Sequence, residues 1–156
     1  QPVRVWGFMP AGTLKIYILE QGEVMDRYLY QELIEDYFLK WLSHCEYLVQ
    51  DFERSLRSEE ALDALKDIHL KLVGHYPPVS QDFNAIENAW ALLKERLADT
   101  LPIGVEGRDK FIVRLNEAVA WVNRNRSAEL ERLSRNQKER ARDCLDGKPP
   151  GSRTKW

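Results

Sequence analysis

The chain has 156 residues, of which 44% are hydrophobic and 31% are charged, and its net charge is −2. This length and composition predict one globular domain with a sizeable core, and no apolar run reaches the length that crosses a membrane. The two cysteines, Cys45 and Cys144, have no close partner spacing. They exclude a disulfide framework and a cysteine metal site, and they favour a reducing compartment.

The charge is unevenly distributed along the chain. Residues 124–156 contain ten Lys/Arg and five Asp/Glu, a net charge of +5, whereas residues 1–123 carry −7. We therefore predict a core over residues 1–123 and a basic C-terminal helix and tail over residues 124–156. A nucleic-acid enzyme is expected to have a basic face, so the acidic core counts against strong DNA binding.

The first half of the chain alternates between predicted strands and predicted helices. Apolar runs at residues 3–8 and 13–19 predict a β-hairpin. Residues 25–45 carry a wide apolar stripe at helical spacing, and Asp26 is suited to cap that helix. A second helix is predicted over residues 58–70, with Ser58 as its cap.

Two short strands are predicted around this second helix, over residues 47–49 and 72–76. The first of them ends in Gln50 and Asp51. An acid at the carboxyl end of a core strand is where α/β folds place their chemistry. Asp51 is therefore a candidate site residue.

After the prolines Pro77 and Pro78, the chain predicts a loop and then a strongly amphipathic helix. Ser80, Asp82 and Asn84 are the candidate caps. Glu87 lies in the first turns of this helix, at the edge of an apolar face formed by Ile86, Trp90, Leu93 and Leu97. Pro102 and Gly104 predict a loop, which is followed by helices over residues 108–123 and 127–145.

Residues 80–90 resemble the Ser-Pro-Asp-Leu-Asn-Pro-Ile-Glu-Asn-x-Trp signature of mariner-type DNA transposases. Eight of the eleven positions match in register if Phe83 counts for Leu, and Gln81 and Ala85 stand at the two prolines. Shorter matches extend the similarity along the chain from Val5 to Trp156. They are Val5-Trp6-Gly7, Met25-Asp26 with Tyr30, Gln50-Asp51, and Gly151 with Thr154-Lys155-Trp156.

This resemblance implies an α/β fold with an RNase H-like mixed sheet flanked by helices. In the family, three carboxylates hold two divalent metal ions, and these ions catalyse the cutting and joining of DNA. The resemblance implies that Asp51 and Glu87 are two of these catalytic, metal-binding acids, with Mg²⁺ as the cofactor because this hard cation prefers oxygen ligands. Phe52 and Leu56 replace an Asn and a His of the family pattern, which predicts an eroded site.

The third acid of the family lies on the first, central strand of the sheet. Residues 1–4 contain no acid and leave no room for this strand. Without it, both neighbouring strands would expose unpaired backbone groups. The resemblance therefore implies that an upstream segment or another polypeptide supplies the strand, or that the sheet has rearranged.

Two functional hypotheses follow. The favoured one is a domesticated, transposase-derived domain that has lost catalysis and serves as a structural or protein-binding component of a larger assembly. The alternative is the C-terminal part of an active metal-dependent transposase, with DNA as a partner and its first catalytic Asp upstream. The nucleus fits the alternative, and an organelle after presequence cleavage fits the favoured hypothesis. Asp51 and Glu87 also match ordinary capping or solvated acids.

Overall fold

The computed structural model describes residues 2–42, 44–50, 55–73 and 84–149. Several predictions from the sequence fall outside these ranges: Asp51 and Phe52, residues 74–76 of the last predicted strand, residues 80–83 of the signature, and the tail from residue 150. The chain divides into two units, residues 1–21 with 81–137 and residues 22–80 with 138–156. The division predicted at residue 123 stays a prediction.

The described residues form a mixed α/β structure, as the sequence predicted. Its elements, in chain order, are β1 (Val5–Phe8), β2 (Lys15–Ile18), α1 (Arg27–Leu33), a π-helical turn (Ile34–Phe38), α2 (Leu39–Trp41), β3 (Tyr47–Leu48), α3 (Glu59–Asp67), β4 (Lys71–Leu72), α4 (Ala85–Asp99), α5 (Arg108–Asn125) and α6 (Ser127–Leu145). Among the helices described, none is both long and apolar enough to span a membrane.

The first unit begins with the predicted hairpin. β1 and β2 pair antiparallel, with Val5 opposite Ile18 and Phe8 opposite Lys15. The connection is a 3₁₀ turn in which Gly12 has a φ of 79°. A side chain at Gly12 would place its Cβ 3.0 Å from the Cα of Glu131, so glycine is required both by the backbone angle and by the close approach of the helix.

The core of the first unit lies where the hairpin connection, α4, α5 and the start of α6 meet. Aliphatic residues spaced three or four apart on each helix turn toward this point. The buried members are Leu14, Ala89, Leu93, Leu115, Ala118, Val119, Val122 and Leu130. The apolar face predicted for α4 packs on this core, with Leu93 buried and Ile86, Trp90 and Leu97 partly buried against it.

A pair of hydrogen bonds joins the hairpin to α5. The backbone N–H of Leu14 donates to Oδ1 of Asn123 at 2.8 Å, and Nδ2 of Asn123 donates to the carbonyl of Leu14 at 2.9 Å. Leu14 is fully buried, so water cannot satisfy its backbone groups. One amide side chain thus replaces the strand partner that Leu14 lacks within the described residues.

The second unit begins with the helix predicted over residues 25–45, which the structure shows to be shorter and interrupted. Asp26 caps it as predicted, since its Oδ1 accepts from the N–H groups of Tyr28 and Leu29 at 2.9 Å. The π-helical turn adds one residue to a turn of the helix. This extra residue lets the adjacent Leu33 and Ile34, together with Phe38, all be fully buried.

The next helix, α3, is capped by Ser58 as predicted, through a 3.2 Å bond from the N–H of Ala61. It ends at Asp67, three residues before the predicted end, because His69 has a φ of 60°. The N–H of Leu70 then donates to the carbonyl of Leu65 at 2.9 Å, which is the Schellman arrangement. A left-handed residue stops this helix, although that residue is not glycine.

The strands of the second unit are short. β3 and β4 pair in parallel over two residues each, with Tyr47 opposite Lys71 and Leu48 opposite Leu72. Within the described residues, the strands therefore form two separate two-stranded sheets, β1 with β2 and β3 with β4. The single RNase H-like mixed sheet implied by the resemblance stays a prediction.

Candidate functional site

The start of α4 is held by two side chains. Of the three predicted caps, the described residues contain Asn84, whose Oδ1 accepts from the N–H of Ile86 at 3.3 Å. Oε1 of Gln137 accepts from the N–H of Ala85 at 2.9 Å. Ala85 stands where the family signature has a proline, which has no N–H. The replacement therefore creates a donor at the helix start, and Gln137 satisfies it.

Glu87 lies in the first turn of α4 and its side chain is exposed. Its backbone N–H donates to the carbonyl of Asn84 at 3.1 Å, which fixes the residue in the turn. The carboxylate lies at the positive end of the helix dipole, which stabilises its negative charge. An exposed carboxylate oxygen is the kind of ligand that Mg²⁺ prefers. An ordinary solvated acid at the start of a helix has the same exposure, so both interpretations of Glu87 fit.

Two segments of the resemblance meet in the first unit, at Gly7 and Trp90. A Cβ added to Gly7 would lie 2.3 Å from Cζ2 and 2.6 Å from Cη2 of the Trp90 indole. The ring therefore covers the backbone of β1 directly. With the Trp90 ring in this place, position 7 requires glycine, whether or not the chain has any catalytic chemistry.

In the second unit, Gln50 is held on both sides of its amide. The hydroxyl of Tyr30 donates to Oε1 of Gln50, and Nε2 of Gln50 donates to the carbonyl of Leu56 at 2.9 Å. These bonds fix the residue that immediately precedes Asp51. Both Tyr30 and Gln50 match the family pattern, and one hydrogen bond joins them. The two matches are therefore one contact of the resemblance rather than two independent similarities.

The hydroxyl of Tyr30 is a neutral donor over the physiological pH range. Tyr30 is fully buried, and this burial raises its pKa well above the ordinary range of a phenol, while the positive charge of Arg57 opposes the shift. A neutral phenol keeps the proton that the bond to Gln50 needs.

Leu56 stands where the family pattern has a histidine. Its side chain is 3% exposed, so it belongs to the buried apolar residues of the second unit. The position contributes a backbone carbonyl to Gln50 and an aliphatic side chain to packing. The position therefore provides no imidazole group for a catalytic or metal-binding site.

The predicted pairing of Asp51 with Glu87 as catalytic and metal-binding acids stays a prediction, because Asp51 lies outside the described ranges. In the part of the chain that the structure describes, no three His, Cys, Asp or Glu side chains come together to hold a metal ion. Of the two acids, the structure describes only Glu87. Its carboxylate is exposed and has oxygen atoms of the kind that bind metal ions.

The sequence interpretation missed Asn123 and Gln137, the two amides that bond to the backbone far along the chain. The signal that could have found them is an amide on an otherwise apolar helix face. Asn123 follows Val119 and Val122, and Gln137 lies seven residues after the buried Leu130. A polar side chain in such a position is expected to have a fixed partner.

The arrangement of these elements is similar to that in a solved structure. The structure is similar to the crystal structure of the catalytic domain of Mos1 mariner transposase, with a TM-score of 0.66 over 93% of this chain and 73% of that one. The sequence identity is 14%, so the similarity shows the fold alone. No protein-family model matches the sequence, and no curated protein matches it.

Proposed function

We propose that this chain is a domesticated, transposase-derived domain of RNase H-like type, which has lost catalysis and acts as a structural or protein-binding component of a larger assembly. In this proposal, a strand from another polypeptide or from an upstream segment completes the sheet. The similarity to a transposase catalytic domain supports the ancestry.

The observation that carries the proposal is the pairing of the strands. β1 pairs with β2 and β3 pairs with β4, and among the described strands there are no other pairs. Among the described strands, β1 is paired along its four residues with β2. A strand with one partner is a template for a further strand, which is a common mode of protein recognition.

Two features favour a structural role over catalysis. Leu56, at the position of the family histidine, is buried as a packing residue. Residues 1–123 carry a net charge of −7, which repels the phosphate backbone of DNA. Both features fit a domain that has kept a fold and changed its partner.

The proposal can be tested on the protein isolated from its source with everything that co-purifies. Intact mass and N-terminal sequencing define the natural chain. Hydrogen exchange then compares the amides of Val5–Phe8 and Tyr47–Leu48 in the isolated chain and in the native complex. We expect a second polypeptide or an upstream segment to slow exchange at β1, since added strands protect backbone amides.

Two results would overturn the proposal. One is a natural chain without an upstream segment whose β1 amides exchange at the same rate alone and in the complex. The other is a longer natural chain that carries an acid on an added first strand and cuts DNA. The second result would establish the alternative function.

The alternative, an active metal-dependent transposase, is favoured by one observation: the Glu87 carboxylate is exposed and has no ion-pair or hydrogen-bond partner within the described residues. Asp51 and Glu87 would then hold Mg²⁺, which activates a water or hydroxyl for phosphodiester chemistry. The test is Mg²⁺-dependent nicking of DNA by the natural protein, compared with Glu87→Gln and with Glu117→Gln as a control on the exposed face of α5. Nicking that only Glu87→Gln abolishes would establish the alternative.

A further inference from the structure

The last helix, α6, is followed by a tightly bonded turn. In this turn Gly147 has a φ of 68°, in the left-handed region. The N–H of Gly147 donates to the carbonyl of Cys144 at 3.1 Å, and the N–H of Lys148 donates to the carbonyl of Asp143 at 2.8 Å. These two bonds are the Schellman arrangement, which ends a helix at a left-handed residue. We call residues 143–148 the α6 cap.

The glycine of the α6 cap has a chemical consequence for the residue before it. The left-handed backbone favours glycine, because a side chain in that conformation is strained. Among all aspartates and asparagines of the chain, Asp146 alone is followed by glycine. A glycine nitrogen is the least hindered nucleophile of the main chain, because its residue carries no side chain. Asp146 is therefore the acid of this chain that is best placed to react with its own backbone.

The carboxyl group of Asp146 and the backbone of Gly147 are both accessible. The Asp146 side chain is 50% exposed, and its ion pair with Lys148 is long, at 3.6 Å, and similarly exposed. A surface pair of this kind restrains a carboxylate only weakly. Within the described residues, no atom beyond the chain neighbours lies within 4 Å of the point where a Cβ at Gly147 would stand. The turn therefore has room for a new ring.

We infer that Asp146 is a site of spontaneous covalent modification, at which the residue converts to isoaspartate. The main-chain nitrogen of Gly147 attacks Cγ of Asp146 and forms a bond to it. One water molecule leaves, made of the carboxyl O–H and the amide proton, and the product is a succinimide ring. Water then adds to the main-chain carbonyl carbon of Asp146, and the bond from this carbon to the nitrogen of Gly147 breaks. The chain now continues through Cγ, and its overall formula is unchanged.

The α6 cap controls when this reaction occurs. The N–H of Gly147 is held in its bond to Cys144, so the nitrogen attacks only when that bond opens. Helix ends open far more often than the core of a fold. Isoaspartate adds a methylene group to the main chain before residue 147, so the two bonds of the cap no longer close in their native geometry. The modification therefore records how often the end of α6 has opened.

This inference does not depend on the proposed function, because the α6 cap includes none of β1, Gln50 and Glu87. The reaction needs only water, so it requires no partner, cofactor or enzyme. Its test can therefore fail or succeed independently of any test on strand addition or catalysis.

The experiment incubates the purified full chain at physiological pH and temperature, either folded in buffer or unfolded in guanidinium chloride. Electron-transfer mass spectrometry of its peptides identifies isoaspartate by main-chain fragments that aspartate does not give. We expect isoaspartate to accumulate at residue 146 of the folded chain, and about tenfold or more faster in the unfolded chain, where the cap is open. Asp109 is the internal control, because it is exposed but precedes Lys110, and it should stay unmodified.

Two variants separate the chemistry from the cap. Asp146→Glu keeps the charge, but its ring would be one atom larger and forms far more slowly, so the signal should disappear in both conditions. Gly147→Ala places a methyl group beside the nitrogen and also strains the cap at a φ of 68°. In guanidinium chloride, where no cap exists, this variant should slow the modification several-fold.

Three results would overturn the inference. The first is a folded chain that gains no isoaspartate at residue 146 while the unfolded chain converts. The second is an equal rate in the folded and unfolded chains, which would show that the cap has no control. The third is modification of Asp109 as fast as that of Asp146.

Discussion

The two units hold the residues of the transposase resemblance in different ways. In the first unit, the Trp90 ring packs against the backbone of Gly7, and this packing accounts for the glycine. In the second unit, Tyr30 and Gln50 are joined by a hydrogen bond next to a candidate site residue. The comparison teaches that a retained signature has two sources. Packing accounts for the match at Gly7 in the first unit, and a hydrogen bond beside a candidate site residue accounts for the match at Tyr30 and Gln50 in the second.

The units also differ in the range of their fixed polar contacts. In the first unit, Asn123 bonds to Leu14 across 109 residues of sequence. In the second, Gln50 bonds to Tyr30 across 20 residues and to Leu56 across 6. We therefore expect the largest losses of stability from changes in the first unit, and the following variants test this order.

Asn123→Ala should have the largest effect. It removes both partners of the buried Leu14 backbone, and two unsatisfied groups cost about 2–6 kcal/mol of unfolding free energy. Urea denaturation measures this loss. Asn116→Ala is the matched control on the same helix, because that amide is exposed and bonds only to the carbonyl of Ile112. The control should change stability by less than about 0.5 kcal/mol, and equal losses would contradict the role of Asn123.

Gly7→Ala should have the next largest effect. Its Cβ would meet the Trp90 ring at 2.3 Å, and overpacking of this kind costs about 1–3 kcal/mol. The same change made in a Trp90→Phe background should cost less, because the smaller ring leaves room for the methyl group. A double-mutant cycle in urea measures the difference. An equal cost in both backgrounds would show that the ring does not set the requirement for glycine.

Tyr30→Phe should cost less, about 1–2 kcal/mol, because one hydrogen bond to Gln50 is lost while the ring stays buried. The exposed Tyr28→Phe serves as the control and should have little effect.

The raised pKa of Tyr30 predicts that the stability of the folded chain changes with pH. Because burial raises the pKa of Tyr30, the folded chain keeps the phenol neutral while the unfolded chain ionises it above about pH 10. The stability from this group is complete below about pH 10 and is lost as the pH rises further. Stability measured from pH 8 to pH 11 should therefore fall less steeply in Tyr30→Phe than in Tyr28→Phe, and parallel curves would contradict the assignment.

Glu106→Gln should have the smallest effect on unfolding. The hydrogen bond from Arg114 lowers the pKa of Glu106, so its contribution is present above the ordinary carboxyl range and is lost as the pH falls. We expect thermal melts of the variant and the wild type to differ at pH 7 and to converge near pH 3. Asp109→Asn, at an exposed acid nearby, is the control. A difference that persists at low pH would exclude the ion pair as its cause.

Local features of the fold could be predicted from the sequence. Asp26, Ser58 and Asn84 cap their helices as expected, since a cap depends on residues within one turn. The hairpin also follows from its alternating pattern. The interruption at Ile34–Phe38 could not be predicted, because it depends on what the helix packs against. The end of α3 at His69 could not be predicted either, because histidine is not the usual residue in the left-handed position.

The candidate site could be predicted only in part. The exposed position of Glu87 follows from its place at the edge of an apolar face, and the pairing of that acid with Asp51 stays a prediction. The partners of Gln50, Ala85 and Arg114 lie 6 to 52 residues away and depend on tertiary packing. The Pro102 and Gly104 signals predicted a loop, but they gave no sign that its aliphatic side chains would be exposed.

The bond between Leu14 and Asn123 has a consequence for synthesis of the chain. The hairpin leaves the ribosome well before its core partners on α4 and α5, since Asn123 is 109 residues behind Leu14. At about 5–20 residues per second, the apolar face of the hairpin stays uncovered for roughly 5–20 s. Residues 22–80 are complete within that interval. The nascent hairpin is therefore a segment that a chaperone is expected to protect during synthesis.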